Sequence, residues 1–263
     1  MVNTGKASFV GSADVCDYMD FVIVPGKESA FFTAVLDKLK KDGIKELYLE
    51  SLRHDSSAMT CLTDLAKDKG YEVTVTSENV SLDLELSSTW DDYLRTLSPK
   101  QRRETGRRFR RLDEEGDINY RVVQEAEPEV LDIFFKLMRV SRKDKAAFLT
   151  PRMESFFRAV AHTMADAGML RFGVLEISSK PVAAVMCFDY NEKVYLYNSG
   201  YNPEYGYISV GLLSKLLSIK DSIERGKKIY DFLKGPEEYK YRLGGKEIPI
   251  YSCQISLSTN PKH

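Results

Sequence analysis

The sequence predicts a mixed α/β fold, and three observations carry that prediction. Two stretches, 128–142 and 151–168, place apolar residues at helical spacing with one buried face. They are Leu131, Phe134, Phe135 and Met138 in the first, and Met153, Phe156, Phe157, Val160, Ala161 and Met164 in the second. Three strand-like runs then follow in quick succession, MLRFGVLEI, PVAAVMCFD and KVYLYNS, separated only by short polar turns. A further helix–strand pair, 210–226 and 228–235, closes the run with a crossover of the kind parallel strands need. A hairpin run joined to such a crossover gives a mixed sheet with helices on both faces.

Each element has a local reason. In the first half, DYMDFVIV (17–24) reads as a strand, 25–43 as a helix ended by KKDG, and IKELYLESL (44–52) as a strand. A second helix over 55–70, strands at 71–77 and 81–87, and a helix over 89–97 complete it. Ser98-Pro99 then opens a basic helix, with proline at its first position. INYRVV (118–123) alternates as a strand should. In the 151–168 helix Pro151 opens and Gly168 closes. The 210–226 helix carries Leu212, Leu216, Ile219 and Ile223 on one stripe and stops at Gly226. A short turn or helix at 236–245 leads to a final strand at 248–257. The run strand–loop–helix–KKDG–IKELYLESL echoes strand–loop–helix–IERG–KKIYDFLKG, a degenerate internal repeat.

Composition narrows the function classes. Of 263 residues, 43% are hydrophobic and 29% charged, ordinary for a globular chain. No apolar run reaches the ~18–20 residues of a membrane span, and MVNTGKASFVGSADV lacks the pattern of a secretory signal, so a cytoplasmic location is expected. Cys16, Cys61, Cys187 and Cys253 have no CxxC spacing, and His54, His162 and His263 are dispersed, so no metal is expected. Net charge is −1, yet 98–111 carries seven cations (Lys100, Arg102, Arg103, Arg107, Arg108, Arg110, Arg111) and one acid. That helix is either a solvated linker or a grip for phosphates.

The run YDFLKGPEEYKYRLGG (230–245), the Ser209–Gly211 helix start preceded by LYNSGY, and WDDYLRTLSPKQRRE…RRFRRL (90–112) together resemble the GNAT acyltransferases. The resemblance is to the branch of the Fem peptidyltransferases and cellulose-biosynthesis-type acetyltransferases. It implies a GNAT fold in tandem halves: an incomplete GNAT-like half over 1–97, a basic linker helix over 98–116 and a complete domain over 117–263, whose last strand is free to pair with the first half. It also implies an N-acyltransferase that moves an acyl group from acetyl-CoA or another acyl-CoA to an amine. A Fem-like enzyme using aminoacyl-tRNA and an inactive binding or scaffold module remain as alternatives. Apart from tRNA, no nucleic-acid partner is expected; the acceptor and a homodimeric state stay open.

Direct acyl transfer asks for little covalent machinery: a positioned donor, a route for one proton, and donors for the developing oxyanion. Ser209, Val210, Gly211 and Leu212 sit at a helix N-terminus, which either receives the donor's phosphates or is an ordinary serine cap with a close-packed glycine. The sequence GYNPEYGYISVG lacks the [QR]-x-x-G-x-[GA] run usual in CoA-binding GNAT proteins. Lys240 aligns with the Fem-type lysine, which the resemblance implies helps transfer; its alternative is a surface lysine. Asp231, a carboxylate among apolar neighbours, is either a general base or a partner for Lys240 or Arg242. Substrate contacts are expected from Tyr197, Ser199, Tyr239, Arg242, Arg102 and Arg103. The tyrosines at 195, 197, 201, 205 and 207 either stack on substrate or close a sheet edge.

Overall fold

In the computed structural model, residues 5–12 and 14–258 are described; His263 lies outside them. The elements run β1 (Lys6–Ser8), α1 (Glu28–Lys41), β2 (Glu46–Arg53), α2 (Thr63–Asp68) after a π-helical turn over Ala58–Leu62, and β3 (Glu72–Glu85). Then come α3 (Trp90–Thr96), α4 (Pro99–Asp113), β4 (Ile118–Val123), α5 (Pro128–Ser141), α6 (Lys143–Phe148) and α7 (Pro151–Asp166). The strands β5 (Leu170–Ile177), β6 (Lys180–Tyr190) and β7 (Lys193–Tyr201) precede α8 (Val210–Glu224), β8 (Ile229–Lys234), α9 (Glu238–Arg242) and β9 (Lys246–Ser256). Packing divides the chain into two units: one takes the chain up to Ser81, Lys234–Pro236 and the chain from Glu247, and the other takes Leu82–Leu233 and Glu237–Lys246.

In the first unit the strand order is β1-β2-β9-β3, with β1 parallel and β9 antiparallel to β2. Phe32 and Leu36 of α1, Leu47 and Leu49 of β2, and Cys253 and Ile255 of β9 share its core. Residues 17–24 do not form the expected strand. Asp20 instead turns its carboxylate to the N–H groups of Ser57 and Ala58, at 2.6 and 3.1 Å, and so starts the π-helical turn. Phe21 enters an aromatic cluster with Phe9, Phe31 and Phe32, while Val22 is left fully exposed. The two strands expected at 71–77 and 81–87 are one strand, β3. The polar residues read as a turn are held in place: Glu78 accepts from the Ser51 N–H at 3.0 Å and from Lys234 Nζ at 3.2 Å.

The second unit is the sheet β8-β7-β6-β5-β4, continued past β8 by the end of β3. Strands β4 to β7 are antiparallel neighbours, and β7 runs parallel to β8 across α8. On one face, Phe134, Phe135 and Met138 of α5 and Phe157 of α7 pack on Phe172, Val174, Ala184 and Met186. Each such fully buried side chain stabilises the fold by about 1.5–3 kcal/mol. Helix α8 covers the other face, where Arg171 of β5 pairs with Asp221 at 2.7 Å. Gly200 lets β7 approach α5: a Cβ there would stand 2.4 Å from the Met138 nitrogen.

The helix stops at Gly43 and Gly226 share one backbone pattern, which also closes the helices at Gly70 and Gly168. Asp42, Gly43 and Ile44 bond back to the carbonyls of Lys38, Lys40 and Leu39, and Arg225, Gly226 and Lys227 bond likewise to Asp221, Ile223 and Ser222. Both glycines are left-handed, at φ 75° and 73°. Helix α6 is an addition that the sequence reading left as loop, because Lys143–Phe148 has no apolar stripe and buries no residue.

Candidate active site

The cleft of the second unit opens where two strands part. Parallel pairing of β7 with β8 covers only Lys193↔Ile229, Val194↔Tyr230 and Tyr195↔Asp231. Beyond it, β7 slips register against β6 between Cys187↔Leu196 and Met186↔Asn198, so Tyr197 is an extra, bulged residue. Strand β8 bends at Leu233, whose φ is 61°. The Asp231 carboxylate accepts the Leu233 N–H at 2.7 Å, and Lys240 Nζ donates to the Leu233 carbonyl at 3.0 Å.

The resulting cavity has a volume of about 430 Å³. Its floor is the end of β7 (Ser199, Tyr201) and the start of α8 (Ser209 to Leu212, and Lys215). Arg142 and Lys145 from the α5–α6 corner, and Glu237 and Tyr239 at α9, form its walls. Ser209 is left-handed, at φ 63°, and makes no side-chain cap; its carbonyl instead takes the N–H groups of Leu212 and Leu213. The N–H groups of Val210 and Gly211 have no acceptor within the helix and carry its positive dipole end. Gly211 is required by packing as well, since a Cβ there would lie 2.8 Å from the Tyr201 ring.

Three cations face this cavity. Arg142 is held charged by Asp144, which bonds its guanidinium. Lys145 Nζ donates to Asn198 Oδ1 at 2.9 Å and to the Ser199 carbonyl; burial, then the Arg142 charge, lowers its pKa to about 8. Lys215, only 7% exposed, donates to the Gly211 carbonyl at 2.8 Å and lies 5.0 Å above the Tyr239 ring. Burial, then the Lys145 charge, brings its pKa to about 7. Such a set attracts an anionic ligand and offers one amine near neutrality.

Of the residues singled out from sequence, Ser199, Ser209, Val210, Gly211, Leu212 and Tyr239 come together in this cavity. Asp231 and Lys240 lie beneath the surface, 0% and 2% exposed, and Lys240 also pairs with Glu237 at 2.8 Å. Tyr197 packs its ring on Phe157 and Phe188 in the core. Arg242 turns outward to Glu238, and Arg102 and Arg103 are exposed on α4; none of them lines the cavity. Of the five loop tyrosines only Tyr201 reaches it; Tyr205 lines a neighbouring cavity and Tyr207 bonds Glu115. Lys215, Lys145 and Arg142 were missed. For Lys215 a signal existed: it sits three residues after Leu212, inside the apolar stripe of its helix. Among the described residues, no group of three or more His, Cys, Asp or Glu is placed to hold a metal, and no helix is long and apolar enough to cross a membrane.

Comparison with known proteins now bears on this arrangement. A family profile described as an acetyltransferase (GNAT) domain matches residues 99–241, more than half of the chain and all of the cavity. The chain belongs to the GNAT acetyltransferase-domain family. Solved structures share its fold at low identity. FemX is similar at 11% identity and TM-score 0.62, over 88% of this chain and 78% of its own. A conserved protein of unknown function from Bacteroides thetaiotaomicron follows at 12% and 0.61, over 87% and 75%. The C-terminal DUF2156 domain of a candidate lysylphosphatidylglycerol synthetase from Agrobacterium fabrum stands at 11% and 0.58, over 89% and 73%. No curated protein matches the chain. The matched residues include the end of β7 and the start of α8 that line the cavity.

Proposed function

We propose that this chain is an N-acyltransferase that moves an acyl group directly from acyl-CoA to an amine. The observation that carries the reading is the cavity itself, where the free end of α8, Arg142, Lys145 and the Lys215 amine meet beside the end of β7, beyond its pairing with β8. A pyrophosphate fits that end. Val210 and Gly211 present N–H groups, and Arg142 and Lys145 add charge to the same cavity. The thioester arm then lies along the end of β7 near Ser199. Asp231 and Lys240 serve the reaction at one remove, by fixing the bend at Leu233 that holds the strands apart. Tyr239 supplies a wall whose hydroxyl burial keeps neutral.

Binding tests the donor. A ligand at 100 times its dissociation constant adds about 2.7 kcal/mol to the folded state, a readily measured rise in Tm. Acetyl-CoA, longer acyl-CoAs and free CoA are expected to raise it, and Gly211→Ala to lessen the rise. A Tm unmoved by every CoA species sinks the reading, and release of an amino acid from aminoacyl-tRNA onto an amine would replace it.

A further inference from the structure

The geometry points to Lys215 as the proton acceptor for the attacking amine. This rests on the acyl-CoA reading and adds to it the group that the reaction needs and the sequence did not reveal. An amine arrives at neutral pH as an ammonium, and its nitrogen cannot attack until a proton has left. Asp231 is shut off from the cavity, with its carboxylate committed to the Leu233 N–H. Glu237 lines the cavity but is paired with Lys240. Lys215 reaches the cavity from the second turn of α8 while remaining 7% exposed, and no carboxylate among the described residues lies within ion-pair distance of it. Its contacts there are a backbone carbonyl and an aromatic face, neutral groups that favour the ammonium less than a carboxylate would.

The groups around it are arranged to the same end. Lys145 on α6 and Lys240 on α9 disfavour the charged form, while Cys187 on β6 and Glu237 before α9 oppose them. Burial dominates, so the amine titrates at about 7. Near neutrality a good share of it is the free base, which is where a proton acceptor works best. The step balances simply. The ammonium first gives one proton to solvent; the free amine nitrogen then bonds to the thioester carbonyl carbon, the second proton that it sheds on becoming an amide nitrogen passes to Lys215 Nζ, and the carbon–sulfur bond breaks to release CoA thiolate. Lys215 then gives its proton to the thiolate or to water. Attack by Lys215 itself is excluded as a productive route, because it would end in a stable amide on the enzyme. Lys145 is a positioning residue in this scheme, acting through its charge on Lys215.

The test follows CoA thiol release by the full chain from acetyl-CoA with a panel of small primary amines, between about pH 5.5 and 9.5. Wild-type kcat/KM should rise with a midpoint near 7. Lys215→Met should lose at least about 100-fold and with it the acidic limb. Lys215→Arg should be as slow, since a guanidinium does not give up its proton. Lys145→Met, which also loses a charge proposed to hold the donor, should raise KM for acetyl-CoA and move the limb to higher pH. A Lys215→Met chain that melts like wild type and keeps both rate and pH profile overturns the assignment while leaving the donor reading intact. A wild-type chain that releases no thiol from any acyl-CoA overturns both.

Discussion

Asp231 and Lys240 hold the two ends of one residue: the carboxylate takes the N–H of Leu233 and the ammonium donates to its carbonyl. Leu233 is left-handed, a conformation that costs a non-glycine residue roughly 1–2 kcal/mol and persists only if its surroundings enforce it. Two side chains that read as catalytic in the sequence are thus committed to backbone shape. Lys240→Met leaves the Leu233 carbonyl buried without its donor and should cost about 1–3 kcal/mol in urea unfolding. Asp231→Ala should cost a similar amount through the orphaned N–H. Both should slow transfer by distorting the strand gap, with unfolding midpoints falling in step. A Lys240→Met chain of wild-type stability that has lost all transfer would instead make the lysine a reacting group.

Gly211 and Tyr201 form a second pair that one substitution should break and another restore. Alanine at 211 would meet the tyrosine ring at 2.8 Å, so Gly211→Ala should cost about 1–3 kcal/mol and weaken acyl-CoA binding. Removing the ring in Gly211→Ala/Tyr201→Ala should recover part of that stability. The double-mutant cycle should therefore be non-additive. Additive losses would mean that the two residues do not crowd each other.

Gly200, in β7, and Gly206, within the loop that follows it, should behave oppositely. A Cβ at Gly200 meets the Met138 backbone, which cannot swing aside, so Gly200→Ala should cost about 3 kcal/mol or more. Gly206 has nothing within 4 Å of such a Cβ, and Gly206→Ala should leave thermal unfolding nearly unchanged. Equal effects at the two sites would contradict the close approach of β7 to α5.

The buried lysine leaves a pH signature on stability. Its folded pKa of about 7 lies below the ordinary lysine value of about 10.4, so between those limits the unfolded chain binds the extra proton. Stability therefore rises with pH across that window, and the cost of burying the charge is complete below it. Lys145, at about 8, contributes with the same sign over a narrower range. Lys215→Met should be more stable than wild type at pH 6, by on the order of a few kcal/mol, and lose that advantage by about pH 10. The loss of the Lys215 bond should not obscure this, because Ser214 Oγ also donates to the Gly211 carbonyl at 3.1 Å. An advantage independent of pH would show that the lysine is not desolvated.

The fold was legible where the pattern is dense. The apolar stripes of α5, α7 and α8 and the closely spaced strands β5 to β7 admit few other readings, and those elements stand where expected. What escaped were places where side chains override pattern. The alternation of 17–24 invites a strand, but Asp20 finds helix N–H groups to cap. Glu78 carries β3 through what looks like a turn. The site was legible in part. The α8 terminus follows from local sequence, whereas Lys145 reaches the cavity only because Asn198 and Ser199 receive it across a distance in sequence that no local pattern spans. Lys240 was not legible as a buried residue: its flanking tyrosines suggested a groove, whereas the side chain is 2% exposed and reaches the Leu233 carbonyl.

The place of β9 has a consequence for synthesis. In the first unit this strand lies between β2 and β3, yet it is translated after every other element. As the chain leaves the ribosome, β2 and β3 emerge early and must wait for Lys246–Ser256 with their facing edges unpaired. The second unit has nearly all its residues by then and is able to fold ahead of the first, reversing the usual order from the N-terminus. During that interval the facing strand edges are open to pairing with other chains.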